Sequence, residues 1–404
     1  MKILLGAIYP YAFLLLYLII PFDNYIRALP NILLVILVVA FPFVISKKEL
    51  SKLKTTPVII FFSFFLFLII NALIFGRLES DFNIIKKVLI AVGLLLLYIP
   101  VHDLGKLKRA IIYSSLATIL FSIINIIIVN NTSGEFIFED YPTLIESLLI
   151  DRIYLGFLSV LSILISYHSL RPKFLPENKY YLANIIVNLL FLFLIVSKIA
   201  ILILVFVLVL RQFYGKNKKI RIPVTLLTIV LLSVIYLSVK DDLKKQNFLV
   251  SNTQTETNFV KNTLTWDIRT IVWHCSAMVS NEIGLNLKGL GFTRTKDKLV
   301  DCYGENIENN SKRDKFMSER FNTHNQFIDF YLSTGILGLL LFVGLFVAVF
   351  LNVRKDFFAT ALLLILGSYC FMENVFHRQL GAYYAGFILI ILLTNIWKIK
   401  TIKE

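Results

Sequence analysis

The chain has 404 residues, 57% of them hydrophobic and only 17% charged. With a mean hydropathy of +0.77 it carries too little charge for a soluble domain of that length. A net charge of +15 would suit a nucleic-acid binder, but the basic residues fall in short linkers between apolar runs, which speaks against nucleic acid and for a membrane.

Apolar runs of about 17–25 residues, the length that crosses the hydrocarbon of a bilayer, recur from end to end. They predict about twelve spans, at 3–21, 29–46, 57–76, 84–101, 110–129, 152–168, 181–197, 199–212, 222–239, 331–352, 357–374 and 381–397. The alternation of a membrane barrel is absent, so the expected class is an all-α polytopic membrane protein. Pro10 and the many later spans make residues 1–21 a retained first helix rather than a cleaved signal.

The linkers after every second span are basic. They carry Lys47, Lys48, Lys52 and Lys54; Lys106, Lys108 and Arg109; Arg171, Lys173 and Lys179; Arg211, Lys216, Lys218, Lys219 and Arg221; Arg354 and Lys355; and Lys398, Lys400 and Lys403. All six groups lie on one side if both termini are cytoplasmic, the positive-inside pattern. Two outer linkers are long. Residues 130–151 carry Glu135, Glu139, Asp140 and Glu146, and 240–330 form a polar loop of near-balanced charge. Phe259, Leu264, Trp266, Ile268, Ile271, Trp273 and Met278 give that loop enough apolar content to fold as a lid. The expected organisation is spans one to nine in 1–239, a lid in 240–330, and spans ten to twelve with a tail in 331–404. Cys275 and Cys302 share the lid, as a disulfide or as two thiols, and Cys370 lies in a span.

Polar residues that could carry chemistry gather on the outer side. Among five histidines, His102 and His168 fall in cytoplasmic linkers and His274, His324 and His377 outside. His324 is followed by Asn325 and a helix start. An imidazole there can take a proton from a hydroxyl, or can simply cap the helix. The stretch from Trp266 to Trp273 reads as a helix with Trp266, Arg269 and Trp273 on one face. The Arg269 fork suits diphosphate oxygens or a loop carboxylate. Lys198 falls at a hairpin tip, as a snorkelling cation or an anion ligand. Lys86 and Lys87 oppose the positive-inside trend and could pair with Glu79 and Asp81 or face the same anion. Glu373, Arg378 and Gln379 form a polar turn between the last two spans. Gly289-Leu290-Gly291 is a tight turn, too short for a phosphate loop. Glu79-Ser80-Asp81 is at most a weak metal motif. No nucleotide-binding or zinc spacing occurs, so neither metal nor cofactor is expected.

His324, Asn325, a nine-residue spacer, then Gly335 and Gly338 form a signature that resembles the bacterial O-antigen ligase and O-antigen polymerase superfamily. The likeness covers most of the chain. It includes the span count, the cytoplasmic ends and the large outer loop before the tenth span. Arg269 ahead of Trp273, and Glu373, Gln379 and Gly381, match the family's pattern. Lys198 stands where the family usually has arginine, and Leu339 where the ligases often have Ser or Thr.

The resemblance implies a GT-C-like membrane glycosyltransferase using an undecaprenyl-diphosphate-linked glycan as donor. The acceptor would be lipid A-core, for a ligase, or another lipid-linked glycan, for a polymerase. The nine-residue spacing leans to the ligase. Nucleotide sugars are not expected outside the cytoplasm, so the donor must carry its own leaving group. His324 and Arg269 would be catalytic, and Lys198, Asn325, Glu373, Arg378, Gln379 and Trp273 would bind substrate. A flippase for the same lipid is the rival from another class, but flippases place charges near the midplane and here the spans are nearly uncharged. The enzyme reading requires His324, Arg269 and Glu373 to lie within about 10 Å of one another at a small-ligand site.

Overall fold

A computed structural model describes residues 2–23, 25–26, 28–133, 148–171, 175–215 and 267–403. The predicted ninth span at 222–239 lies outside the described residues, as do Lys173, Lys216, Lys218, Lys219, Arg221, Phe259, Leu264, Trp266 and the acids Glu135, Glu139, Asp140 and Glu146.

The described residues fold as helices without a strand. In chain order these are α1 (Lys2–Ile19), α2 (Leu29–Val44), α3 (Thr56–Ile74), α4 (Leu78–Tyr98), α5 (Leu104–Ser133), α6 (Arg152–Ser169), α7 (Pro176–Leu194) and α8 (Lys198–Tyr214). Then follow α9 (Asp267–Ile283), α10 (Phe292–Asn306), α11 (Asn310–Glu319), α12 (Gln326–Val353), α13 (Phe357–Met372) and α14 (Gln379–Lys403). Six of them contain stretches long and apolar enough to cross a membrane, and α2 and α13 are shorter apolar helices. The protein is therefore a helical membrane protein.

Burial separates the helices by role. Residues 381–393 of α14 are buried on every face, which requires neighbours all round. In α2, by contrast, Ile32, Val35, Val38 and Val39 are half or more exposed. Apolar surface of that extent would be unstable in water and is satisfied by lipid. Side chains tie the bundle lengthwise: the Tyr9 hydroxyl donates to the Leu97 carbonyl and the Tyr17 hydroxyl to that of Tyr383.

Three helices, α9 to α11, form a cap with its own core of Ile271, Val272, Val279, Leu299, Tyr303 and Phe316, which Leu332 of α12 completes. Cys275 and Cys302 are joined as a disulfide between α9 and α10, which resolves the choice the sequence left open.

The cap is docked by backbone. The strap 286–291 lies along residues 332–336. Leu290 N–H donates to Leu332 O (2.8 Å), Gly291 N–H to Ser333 O (2.8 Å), and Ile336 N–H to Asn286 O (3.0 Å). These bonds are possible because Gly335 interrupts α12 at φ 79°, ψ −177°. A β-carbon there would fall 2.3 Å from the Leu287 carbonyl oxygen, and one on Gly289 would fall 2.3 Å from that of Ser333. Only glycine permits this approach. Helix α12 thus starts at Gln326, five residues before the predicted span, and its first part belongs to the junction with the cap.

Helix α4 likewise starts at Leu78, ahead of its predicted span at 84, because its first turn grips the strap. Arg77 donates to the carbonyls of Lys288 and Gly289 and to Asn71. Buried Asp81 accepts the Phe292 N–H at 2.8 Å. Asp81 therefore holds the cap in place rather than pairing with a lysine. Lys87 donates instead to the His377 carbonyl at 2.6 Å.

Candidate functional site

The turn after α13 is polar and almost wholly inside the protein. Glu373 ends α13 with extended backbone, is 7% exposed, and draws three elements together. His324 Nδ1 lies 3.0 Å from its Oε2 and Arg269 Nη2 lies 3.6 Å from the same oxygen. The Asn374 N–H donates to Oε1 at 3.0 Å. Arg269 reaches this point from the first turn of α9 and is anchored by its Nε, which donates to the Met372 carbonyl at 3.1 Å. The three residues whose convergence the enzyme reading requires are in contact.

The electrostatics follow from this packing. Burial pushes the Glu373 carboxyl up, but His324, Arg269 and the Asn374 N–H outweigh it, so its pKa lies below the ordinary carboxylate value. Burial draws the Arg269 pKa down against the pull of Glu373 and Asp151. An ionised carboxylate only accepts hydrogen bonds. His324 Nδ1 must therefore carry the hydrogen, and in the neutral ring Nε2 presents its lone pair.

That Nε2 is buried and has no hydrogen-bond partner among the described residues. Nor, among those residues, have Trp273 Nε1, Asn374 Nδ2 and the Tyr154 and Tyr369 hydroxyls. Buried polar atoms are normally satisfied, so His324 Nε2 and Asn374 Nδ2, on the two residues that bond Glu373, and the Tyr154 hydroxyl in its field mark a place where something polar is expected to bind.

His324 holds its position at φ 43°, a left-handed conformation that side chains other than glycine rarely adopt. Asn322 Oδ1 accepts its N–H. Next to it, Asn325 Oδ1 accepts from the N–H groups of Phe327 and Ile328 and so caps α12. The Asn374 side chain accepts from Asn325 N–H and from the Thr323 hydroxyl, locking the turn onto the 323–325 segment. Strain of this kind persists only where the surroundings over-determine it, and it concentrates at working sites.

Lys198 opens α8 immediately after the hairpin at 195–197, where Val196 also takes a positive φ of 46°. It lies within the field of Arg152 and Arg269. Three cations from three elements, Arg152 on α6, Lys198 on α8 and Arg269 on α9, thus lie within one another's fields, and Arg269 is the one in contact with Glu373. Arg378 faces Asp151 at 3.7 Å and is two-thirds exposed.

The remaining predicted residues sit as follows. Trp273 packs edge-on against Phe371 with ring centroids 5.8 Å apart. Gln379 donates to Asn31 at the start of α2, on the exposed rim. Gly335 and Gly338 serve α12. A β-carbon on Gly338 would meet the Thr334 hydroxyl, which itself donates to Phe330 O. Among the described residues no group of three or more His, Cys, Asp or Glu could hold a metal ion.

Sequence reasoning passed over Arg152, Tyr154 and Asn374. Arg152 carried a signal, since an arginine at the far end of a span from the basic linkers breaks the positive-inside trend. Asn374 carried none beyond its place beside Glu373. No protein-family model matches the chain, and no curated protein matches it. The resemblance to the O-antigen ligases and polymerases rests on the residues quoted for it.

Proposed function

We propose that this protein is a membrane glycosyltransferase that moves a glycan from undecaprenyl diphosphate to a hydroxyl acceptor. In this reading it is a GT-C-like protein of twelve spans in a bacterial inner membrane, both termini cytoplasmic and the cap periplasmic. The observation that carries the reading is the contact of His324 and Arg269 with buried Glu373, with Arg152 and Lys198 in the field of Arg269.

The chemistry divides among these residues. The acceptor hydroxyl attacks the anomeric carbon and gives its proton to His324 Nε2, which Glu373 orients through Nδ1. The bond from that carbon to the diphosphate oxygen breaks, and its electron pair stays on the leaving diphosphate. Arg269, Lys198 and Arg152 offset the charge that develops there. These cations are preorganised in a partly buried site, where they act more strongly than in water. Asn325 holds the backbone that presents His324, and Arg378, Gln379 and Trp273 are available to the glycan.

Ligation to lipid A-core is favoured by the nine-residue spacing of the His-Asn and Gly-x-x-Gly elements. Leu339, in place of the hydroxyl residue frequent in ligases, is the observation that favours repeat-unit polymerisation instead.

Deleting the gene in its host tests the reading. Long glycan retained on undecaprenyl diphosphate with bare lipid A-core identifies a ligase, and single repeat units on lipid A-core identify a polymerase. An unchanged glycan ladder and no accumulated lipid-linked intermediate of any surface polymer would overturn the proposal. Complementation with Arg269→Ala, expected to insert normally and to restore nothing, ties the outcome to the site.

A further inference from the structure

Three helices run between the Glu373 cluster and the opposite end of the bundle. Helix α6 goes from Arg152 to Ser169, α8 from Lys198 to Tyr214, and α13 returns from Phe357 to Met372. At about 1.5 Å per residue, α6 alone places its two ends roughly 27 Å apart. The far ends of the three helices enclose an open cleft of about 730 Å³. That lies within the range of roughly 300–1,000 Å³ usual for small-molecule sites.

Cations from two linkers and from the last turn of α8 line this cleft: Arg171, Lys355 and Arg211. Positive-inside bias places basic residues on one side of a membrane, but it does not bring residues this distant in sequence to a single cavity. Arg211 is held in place. Its Nε donates to the Tyr167 hydroxyl at 2.9 Å, and its guanidinium lies 5.0 Å from the centre of the Phe357 ring. A guanidinium fixed in this way presents its remaining N–H groups as a fork matched to phosphate. The Tyr214 hydroxyl donates to the Arg354 carbonyl, which ties the end of α8 to the linker that carries Lys355. Asp356, the acid in the lining, accepts the Phe358 N–H and caps α13.

The rim distinguishes the ligand. Tyr167 is 42% exposed, and the rings of Tyr214, Phe357 and Phe358 complete the aromatic part of the lining. Cations beside aromatic rings at helix ends suit a ligand that is charged at one end and apolar at the other. We infer that this cleft is a binding site for the phosphate headgroup of an anionic phospholipid, at the end of the bundle away from the Glu373 cluster. The site is independent of the proposed transfer reaction. It requires only that the helices lie in a bilayer.

The full-length protein in detergent, titrated with phosphatidylglycerol or phosphatidylcholine and read by native mass spectrometry, tests the inference. A bound phosphatidylglycerol is expected to be retained roughly 30- to 150-fold more tightly than phosphatidylcholine, as two or three cations near a headgroup imply. Combining Arg211→Gln with Lys355→Gln should remove that preference. Arg171→Gln alone, at a side chain 65% exposed, should reduce it and decides the matter if the double variant does not fold. Millimolar inorganic phosphate should fail to displace the lipid. Equal retention of the two lipids, or unchanged preference in both variants, would overturn the assignment. Displacement by inorganic phosphate would overturn it too, in favour of a free anion.

Discussion

Two histidine–carboxylate pairs are built from the same two chain segments, 323–329 and 372–379, and they are employed differently. His324 meets Glu373 through Nδ1, and its Nε2 is buried without a partner among the described residues. His377 meets Asp329 through Nε2 at 2.8 Å. Asp329 also receives the Gln326 side-chain N–H, and the Gln326 Oε1 accepts the Phe376 N–H. The His377 carbonyl takes Lys87. The second pair is thus embedded in bonds that close the junction between α4, α12 and the 373–379 turn. The first has one ring nitrogen anchored and the other left for work, beside a buried arginine and at a strained backbone position. A histidine next to a carboxylate is common to both, and what separates them is which nitrogen is already occupied.

The largest effect should come from breaking the first pair at the ring. His324→Ala is expected to lower transfer by about 10²–10⁴-fold, the usual worth of a positioned base. His377→Ala should lower it far less. Turnover of a lipid-linked donor by the purified variants, with insertion checked for each, measures the difference, and equal losses would remove the distinction drawn between the pairs.

Glu373→Gln comes next. It removes the carboxylate in contact with buried Arg269, leaving only the weaker pull of Asp151, and should cost about 3–5 kcal/mol of stability. Asp329→Asn keeps a hydrogen-bonding side chain in place and has no arginine to strand, so about 1–3 kcal/mol is expected. Denaturant unfolding in detergent ranks the two, and the reverse order would show that Asp329 is the more heavily committed carboxylate.

The disulfide bears on the first pair through Arg269, which rides on the α9 helix that Cys275 ties to α10. Cys275→Ser opens a cross-link with a sequence separation of 27, and the loop-closure term for that length is about 3.5 kcal/mol. A lower unfolding temperature for the cap, with reduced transfer, is expected. Unchanged transfer after reduction of the bond would mean that the α12 junction alone positions Arg269.

The smallest effect is in pH. The Glu373 pKa is depressed in the folded protein, so its contribution to stability is fully present above the unfolded value. That contribution is lost only as pH falls through the lower folded one. Stability should therefore hold from neutral pH down to the ordinary carboxylate range and fall below it. Glu373→Gln should flatten that acid limb, and an acid limb identical in the two proteins would assign it to other carboxylates.

Much of this was legible in the sequence, and the reason is chemical. Lengths of apolar chain fix membrane helices wherever they occur, because an unpaired backbone is intolerable in hydrocarbon. The runs at 57–76, 110–129, 152–168 and 381–397 accordingly appear as helices within a few residues of expectation. The site residues His324, Arg269 and Glu373 could be nominated because ionisable groups at the margins of such helices need a reason to be there.

What the sequence could not supply was registry between distant segments. Nothing local pairs Gly335 with the strap at 286–291, sends Asp81 to the start of α10, or assigns Glu373 to His324 and Asp329 to His377. Each depends on which backbone atoms the cap brings against α12 and α4. The same holds at the far end, where Arg171, Arg211 and Lys355 read as ordinary positive-inside charge until the helices place them around one cleft. Hydrophobic length is a property of each segment alone and survives without its neighbours. A hydrogen bond, an ion pair or a cavity belongs to two or more segments at once, and here only the tertiary structure chose the partners.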